Sequence, residues 1–141
     1  MYSSRGECPC CGAPAPSRRR ARGLDDDAFA KLYAARATPL LELLERLTGD
    51  PRVAVELWAE TLAHCVLARQ RFRGQTPDDA AAWLEAIAYR QLARLRFHGH
   101  VEPVSLRRLG LDTPTAHCPV VAASFLAQLL PEHAIGIRNV G

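Results

Sequence analysis

The chain has 141 residues, of which 48% are hydrophobic and 23% charged, the size and balance of one ordinary domain, or a small domain with tails, able to bury a core. Its net charge of +3 comes from 18 basic and 15 acidic residues, and every base except Lys31 is Arg; Arg favours bidentate phosphate and base contacts, although an Arg-rich, Lys-poor chain is also what a GC-rich gene encodes. No apolar run approaches the ~20 residues of a bilayer span, the N-terminus has no apolar signal-peptide core, and 6% aromatics with few β-branched runs argue against an all-β domain.

Residues 1–24 read as a flexible leader rich in Cys, Pro and Arg. Its prolines and glycines break any periodicity, and Arg18, Arg19, Arg20 and Arg22 repel one another. Cys8 and Cys11 form one C-x-x-C step, half a zinc knuckle. Tetrahedral structural zinc needs four ligands, and none of Cys65, Cys118, His98, His100 and His117 makes a second pair. Free thiols and no metal or other cofactor are expected, with a small zinc or redox module at Cys8 and Cys11 as an alternative. Five Cys, three of them within four positions, do not make a secreted disulfide framework and point to a reducing cytoplasm.

A first helix is predicted from the Asp25–Asp27 cluster, which suits an N-cap and the positive end of the helix dipole. Phe29, Leu32, Tyr33, Leu40, Leu43, Leu44 and Leu47 recur every three or four residues, Pro39 should kink or divide the helix, and Gly49 ends it. Asp50-Pro51 opens a second helix with apolar face Val53, Leu57, Trp58, Leu62, Cys65 and Val66. Glu56 and Glu60 share one flank, and Gly74 stops this helix after Arg69, Arg71 and Arg73 have flanked Phe72. Thr76-Pro77-Asp78-Asp79 starts a third, with Trp83, Leu84, Ile87, Ala88, Leu92 and Leu95 facing inward, Arg90 and Arg94 one turn apart, and Gly99 at its end. Glycines and prolines mark residues 99–119 as a linker, and Val120–Leu130 as a short orphan helix stopped by Pro131. The expected fold is all-α: a three-helix domain over 25–98, the linker, and the orphan helix.

Charge is segregated along the chain. Residues 25–68 carry eight acids against four bases, and residues 69–110 carry eight Arg against four acids. An acidic half is therefore followed by a basic one, which bears on partners. Arg90, Arg94 and Arg96 beside Trp83, Tyr89 and Phe97 combine cationic and stacking groups, as a single-stranded or partly melted nucleic acid requires; the ordinary alternative is a solvated Arg face. Glu56 and Glu60 beside Trp58 would suit a basic protein partner; the ordinary alternative puts Trp58 in the core and both Glu in solvent. No His has Ser or Asp partners at a spacing that suggests catalysis, so no enzyme is expected.

The order of the motifs is more specific than any one of them. Arg46–Asp50 (RLTGD), then Glu56, Leu57, Glu60 and Thr61, then Arg71–Gly74 (RFRG), then Ala82, Trp83, Leu84, Ile87 and Ala88, run into an Arg-rich helix. Over residues 25–112 this resembles the first conserved domain of the extracytoplasmic-function sigma factors of bacterial RNA polymerase. Ala59 and Leu62 stand where that family often has Gln and Phe, and Arg90 and Arg94 fall near its usual Asn and Asp, so a particular promoter sequence does not carry over.

The resemblance implies a transcription initiation factor. It implies docking on the beta-prime clamp helices of core RNA polymerase through Glu56, Leu57, Trp58, Glu60 and Thr61. It implies contact with minus-ten promoter DNA through Arg73, Trp83, Arg90, Gln91, Arg94, Arg96 and His98, and an anti-sigma factor as a further partner. Phe125–Arg138 resembles the start of the family's second, minus-thirty-five-reading domain, so residues 120–141 read as a truncated remnant of it. A truncated decoy that binds core polymerase without initiating is the runner-up expectation.

Overall fold

The computed structural model describes residues 23–114 and 119–130, with side chains in the second stretch described from Ser124 onward. Every regular element among these residues is helical: α1 (Asp26–Thr48), α2 (Pro51–Ala68), a 3-10 turn (Arg69–Arg71), α3 (Pro77–His98), α4 (Val104–Arg108) and α5 (Pro119–Leu129). No helix among them is long and apolar enough to cross a membrane. Cys8, Cys11 and the rest of 1–22, and residues 131–141, lie outside the described residues.

The helix ends follow from local chemistry. Asp25 accepts from the Ala28 N–H at 2.8 Å and caps α1. Asp50 accepts from the Arg52 N–H at 2.9 Å, with Pro51 in the first helical position of α2, where its missing N–H removes no intrahelical bond. Thr76 and Asp79 form a reciprocal capping box on α3. α1 and α3 end on Gly49 and Gly99, both in the left-handed region that spares glycine a Cβ clash. Pro39 does not divide α1, which runs unbroken past it. α2 ends earlier than expected, at Ala68, and the chain turns through the 3-10 segment toward Gly74. A Cβ at Gly74 would collide with the Asp79 side chain and the Phe72 ring, so that turn requires glycine.

α2 is the centre of the domain. Ala54, Val55, Leu57, Trp58, Ala59, Leu62, Ala63, Cys65, Val66 and Ala68 are all buried, round about two-thirds of the helix. α1 packs on it most extensively, then α3 and α4. Small residues at Ala54, Ala59, Ala63 and Ala68 let the neighbouring backbones approach, and so broad an apolar face belongs inside. Trp58 donates its Nε1–H to the Ala37 carbonyl at 2.9 Å and lies 6.3 Å from Tyr33 and 5.4 Å from Phe125, ring centre to ring centre.

Two segments differ from expectation. Composition marks residues 99–119 as a linker, yet they contain α4, whose Ser105 and Leu106 are buried against α2. The predicted orphan helix, α5, sends Phe125, Leu129 and Leu130 into the same core as α1 and α2. Leu24, expected within the leader, is buried as well. Backbone bonds from Gly23 N–H to Phe72 O (2.6 Å) and from Leu24 N–H to Arg69 O (2.8 Å) fasten this entry to the turn after α2. An ion pair between Arg69 and Asp26 (3.1 Å) spans the same junction.

Candidate nucleic-acid interface

α3 buries Ala80, Ala81, Leu84, Ile87, Ala88, Gln91 and Leu92. Its solvent-facing side carries Arg90, Arg94 and Phe97 at i, i+4 and i+7, with Tyr89, Ala93 and Arg96 at the same spacing on the adjoining flank. Phe97 is 85% and Tyr89 50% exposed, large apolar rings left in solvent beside the three guanidinium groups. None of Arg90, Arg94 and Arg96 has an ion-pair partner among the described residues. Unpaired cations interleaved with open aromatic faces can neutralise phosphates and stack bases at once.

Of the seven residues expected to touch DNA, Arg73, Arg90, Arg94, Arg96 and His98 are exposed or half-buried. Gln91 is a correction: it is buried on the core side of α3, one residue beyond Arg90 and so about a quarter turn round the helix. Trp83 is exposed only in part, since it packs on Phe72, ring centres 5.4 Å apart. Arg73 donates to the Gln70 and Phe72 carbonyls at 3.2 and 3.3 Å, which turns it back onto the loop. Gln91, Arg94 and His98 line one small pocket of about 10 Å³ together with Val101 and Glu102.

The residues expected to dock on polymerase fare differently. Glu56 is exposed, but Leu57, Trp58, Glu60 and Thr61 are buried. Leu57 and Trp58 face the core, and Thr61 donates its hydroxyl to the Leu57 carbonyl at 2.7 Å. Glu60 is 2% exposed because α4 lies over it. Its Oε2 and Oε1 accept from the Ser105 N–H at 2.9 and 3.1 Å, and Oε1 also accepts from the Leu106 N–H at 3.1 Å. Sequence reasoning missed Ser105 and Leu106, and only the apolar residues Val101, Val104, Leu106, Leu109 and Leu111, scattered among the glycines, proline and charges, hinted at them.

His64 sits one turn beyond Glu60, its Nδ1 3.5 Å from the Ser105 hydroxyl. Burial holds its pKa below 6.5; the negative charge of Glu60 acts the other way, and the positive charges of Arg90, Arg94 and Arg71 add to the lowering. His64 therefore marks where the basic side of α3 meets the acidic residue under α4. A folded state that refuses a proton the unfolded chain accepts loses stability as pH falls from 6.5 through the lower folded value. The midpoint of urea unfolding should drop between about pH 7.5 and 5, and His64→Gln should flatten that drop; an unchanged slope in the variant would assign it elsewhere. Asp79, held below 3.8 by the Gln75 and Thr76 N–H groups, acts only in stronger acid. Cys65 is a buried free thiol whose pKa burial pushes up, so it stays protonated and unreactive.

A cavity of about 840 Å³ opens between the N-terminal ends of α1 and α3 and is lined by Leu24, Leu32, Phe72 and Pro77 among others. None of the expected site residues lines it. No group of three His, Cys, Asp or Glu among the described residues is placed to hold a metal ion. No family model matches the chain, and neither a curated protein nor a solved structure is detectably similar to it.

Proposed function

We propose that the chain is a sigma-like transcription initiation factor that binds core RNA polymerase and holds minus-ten promoter DNA on α3. The observation that carries this reading is the set Arg90, Arg94 and Arg96, without ion-pair partners among the described residues, beside exposed Tyr89 and Phe97; the order of the sequence motifs supports it. The mechanism is capture without covalent chemistry. Arg side chains neutralise the backbone of a melted strand, and Tyr89 and Phe97 stack extruded bases, which offsets the cost of unstacking. On the polymerase side, Glu56 is the acidic residue open to a cationic partner, and Leu57, Trp58 and Thr61 serve the fold.

The test is fluorescence anisotropy of a labelled minus-ten-like single strand titrated with the full chain at several salt concentrations. Affinity should fall as salt rises, and Arg90→Ala with Arg94→Ala should reduce the log–log slope by about 1.4, at ~0.7 for each single-strand phosphate left without its cation. Phe97→Ala should weaken binding by about 1–3 kcal/mol with the slope unchanged. A wild-type affinity indifferent to salt would remove the nucleic-acid reading.

A further inference from the structure

We propose that α4 is an intramolecular cover over the outward stripe of α2, and that its release opens an acidic docking surface, Glu56 with Glu60, to a cationic helical surface of a partner protein. The proposal rests on the polymerase-docking reading above and adds its regulation.

Val53, Glu56, Glu60, His64 and Leu67 fall on one face of α2 at intervals of three and four. Four of them are exposed or half-buried; Glu60 alone is closed off, and α4 closes it. The rest of α2 faces the other helices, so this stripe is its one outward side. The cover meets the stripe in the way a cationic partner would. It brings N–H donors onto both carboxylate oxygens of Glu60 and carries Arg107 and Arg108 on its own exposed side. Water or a guanidinium group can take over those three bonds, so exchanging them changes the free energy little.

The apolar hold of this segment rests on Leu106, with Val101 and Leu109 partly buried against the core beside it. Leu106 is its one fully buried apolar side chain, and Val104 is exposed. The segment is bounded by Gly99 (φ +81°) and Gly110 (φ +71°), and a Cβ at either would meet nothing within 4 Å. Two unencumbered left-handed glycines at the ends of this short segment are where a swing of the backbone would be absorbed. Polymerase docking and the closed cover compete for the same carboxylate, so the apparent affinity is that of the open form multiplied by the fraction of chains that are open.

Ser105→Pro deletes the N–H that both Glu60 oxygens accept while leaving every α2 side chain in place, in the first turn of α4, where that N–H has no intrahelical acceptor to lose. Leu106→Ala weakens the apolar hold without touching the hydrogen bonds, and covers the case in which the proline variant fails to fold. Binding of each full-length variant to core RNA polymerase is measured by surface plasmon resonance, and hydrogen exchange is followed at residues 104–111. Both variants should exchange faster there and bind about tenfold more tightly than wild type, with Glu56→Arg cancelling the gain. Faster exchange with unchanged or weaker binding overturns the cover, as does unchanged exchange in both variants. If neither wild type nor variants bind polymerase, the docking reading fails and the cover as a regulator fails with it.

Discussion

Trp58→Ala should lower the unfolding free energy by about 3–5 kcal/mol, the range for emptying a buried aromatic site. That is a large share of the ~5–15 kcal/mol that holds a domain of this size together, so the variant should be partly unfolded at physiological temperature. The side chain is 2% exposed and joins three elements: its Nε1–H is bonded to the Ala37 carbonyl of α1, and its ring lies between Tyr33 of α1 and Phe125 of α5. Trp58→Phe keeps most of the apolar packing without the donor, and should cost less than half as much. Urea unfolding followed by circular dichroism reads both. A surface anchor would behave in the opposite way, with partner binding reduced and the unfolding midpoint unmoved, so the experiment separates core from docking at the residue where sequence reasoning left both open.

The contrast between what the sequence disclosed and what it hid is physical. Caps at Asp25, Asp50 and Thr76 and the stops at Gly49 and Gly99 depend on residues a few positions apart, so the helix borders could be read locally. Arg90 and Arg94 could be placed on one exposed face for the same reason, since neighbours one turn apart share a side of a helix. The role of α2 was hidden because alanine is silent in an apolar pattern. Ala54, Ala59, Ala63 and Ala68 turn a helix that reads as amphipathic into one buried on all but a single stripe. Gln91 was misjudged because a polar residue between arginines reads as surface, although its angular position puts it with Ile87 and Leu84. Residues 99–119 looked like a linker because glycine and proline dominate their pattern, and Leu106 finds its place only when α2 is already present.

Glu60 is the extreme case, and it carries the second large effect. A lone glutamate reads as solvated because an unpaired charge is costly to bury. Its burial here depends on N–H groups 45 and 46 residues away, which no local pattern announces. Glu60→Arg should destabilise the domain by about 3–5 kcal/mol, since it leaves a buried cation facing two N–H donors without an acceptor. Glu60→Gln should cost about 1–3 kcal/mol, because one carboxylate oxygen becomes an NH2 group turned toward the same donors. Glu56→Arg, on the open part of the stripe, should stay within about 0.5 kcal/mol of wild type. A charge reversal at both positions would therefore confuse loss of fold with loss of docking, and Glu56→Arg alone is the clean probe of a cationic partner. A double-mutant cycle pairing Glu60→Gln with Ser105→Pro gives the coupling directly: once the proline has removed the N–H, the glutamine should cost markedly less than it does in wild type. Strict additivity of the two would mean that Glu60 does not hold α4, and the buried carboxylate would need another physical account.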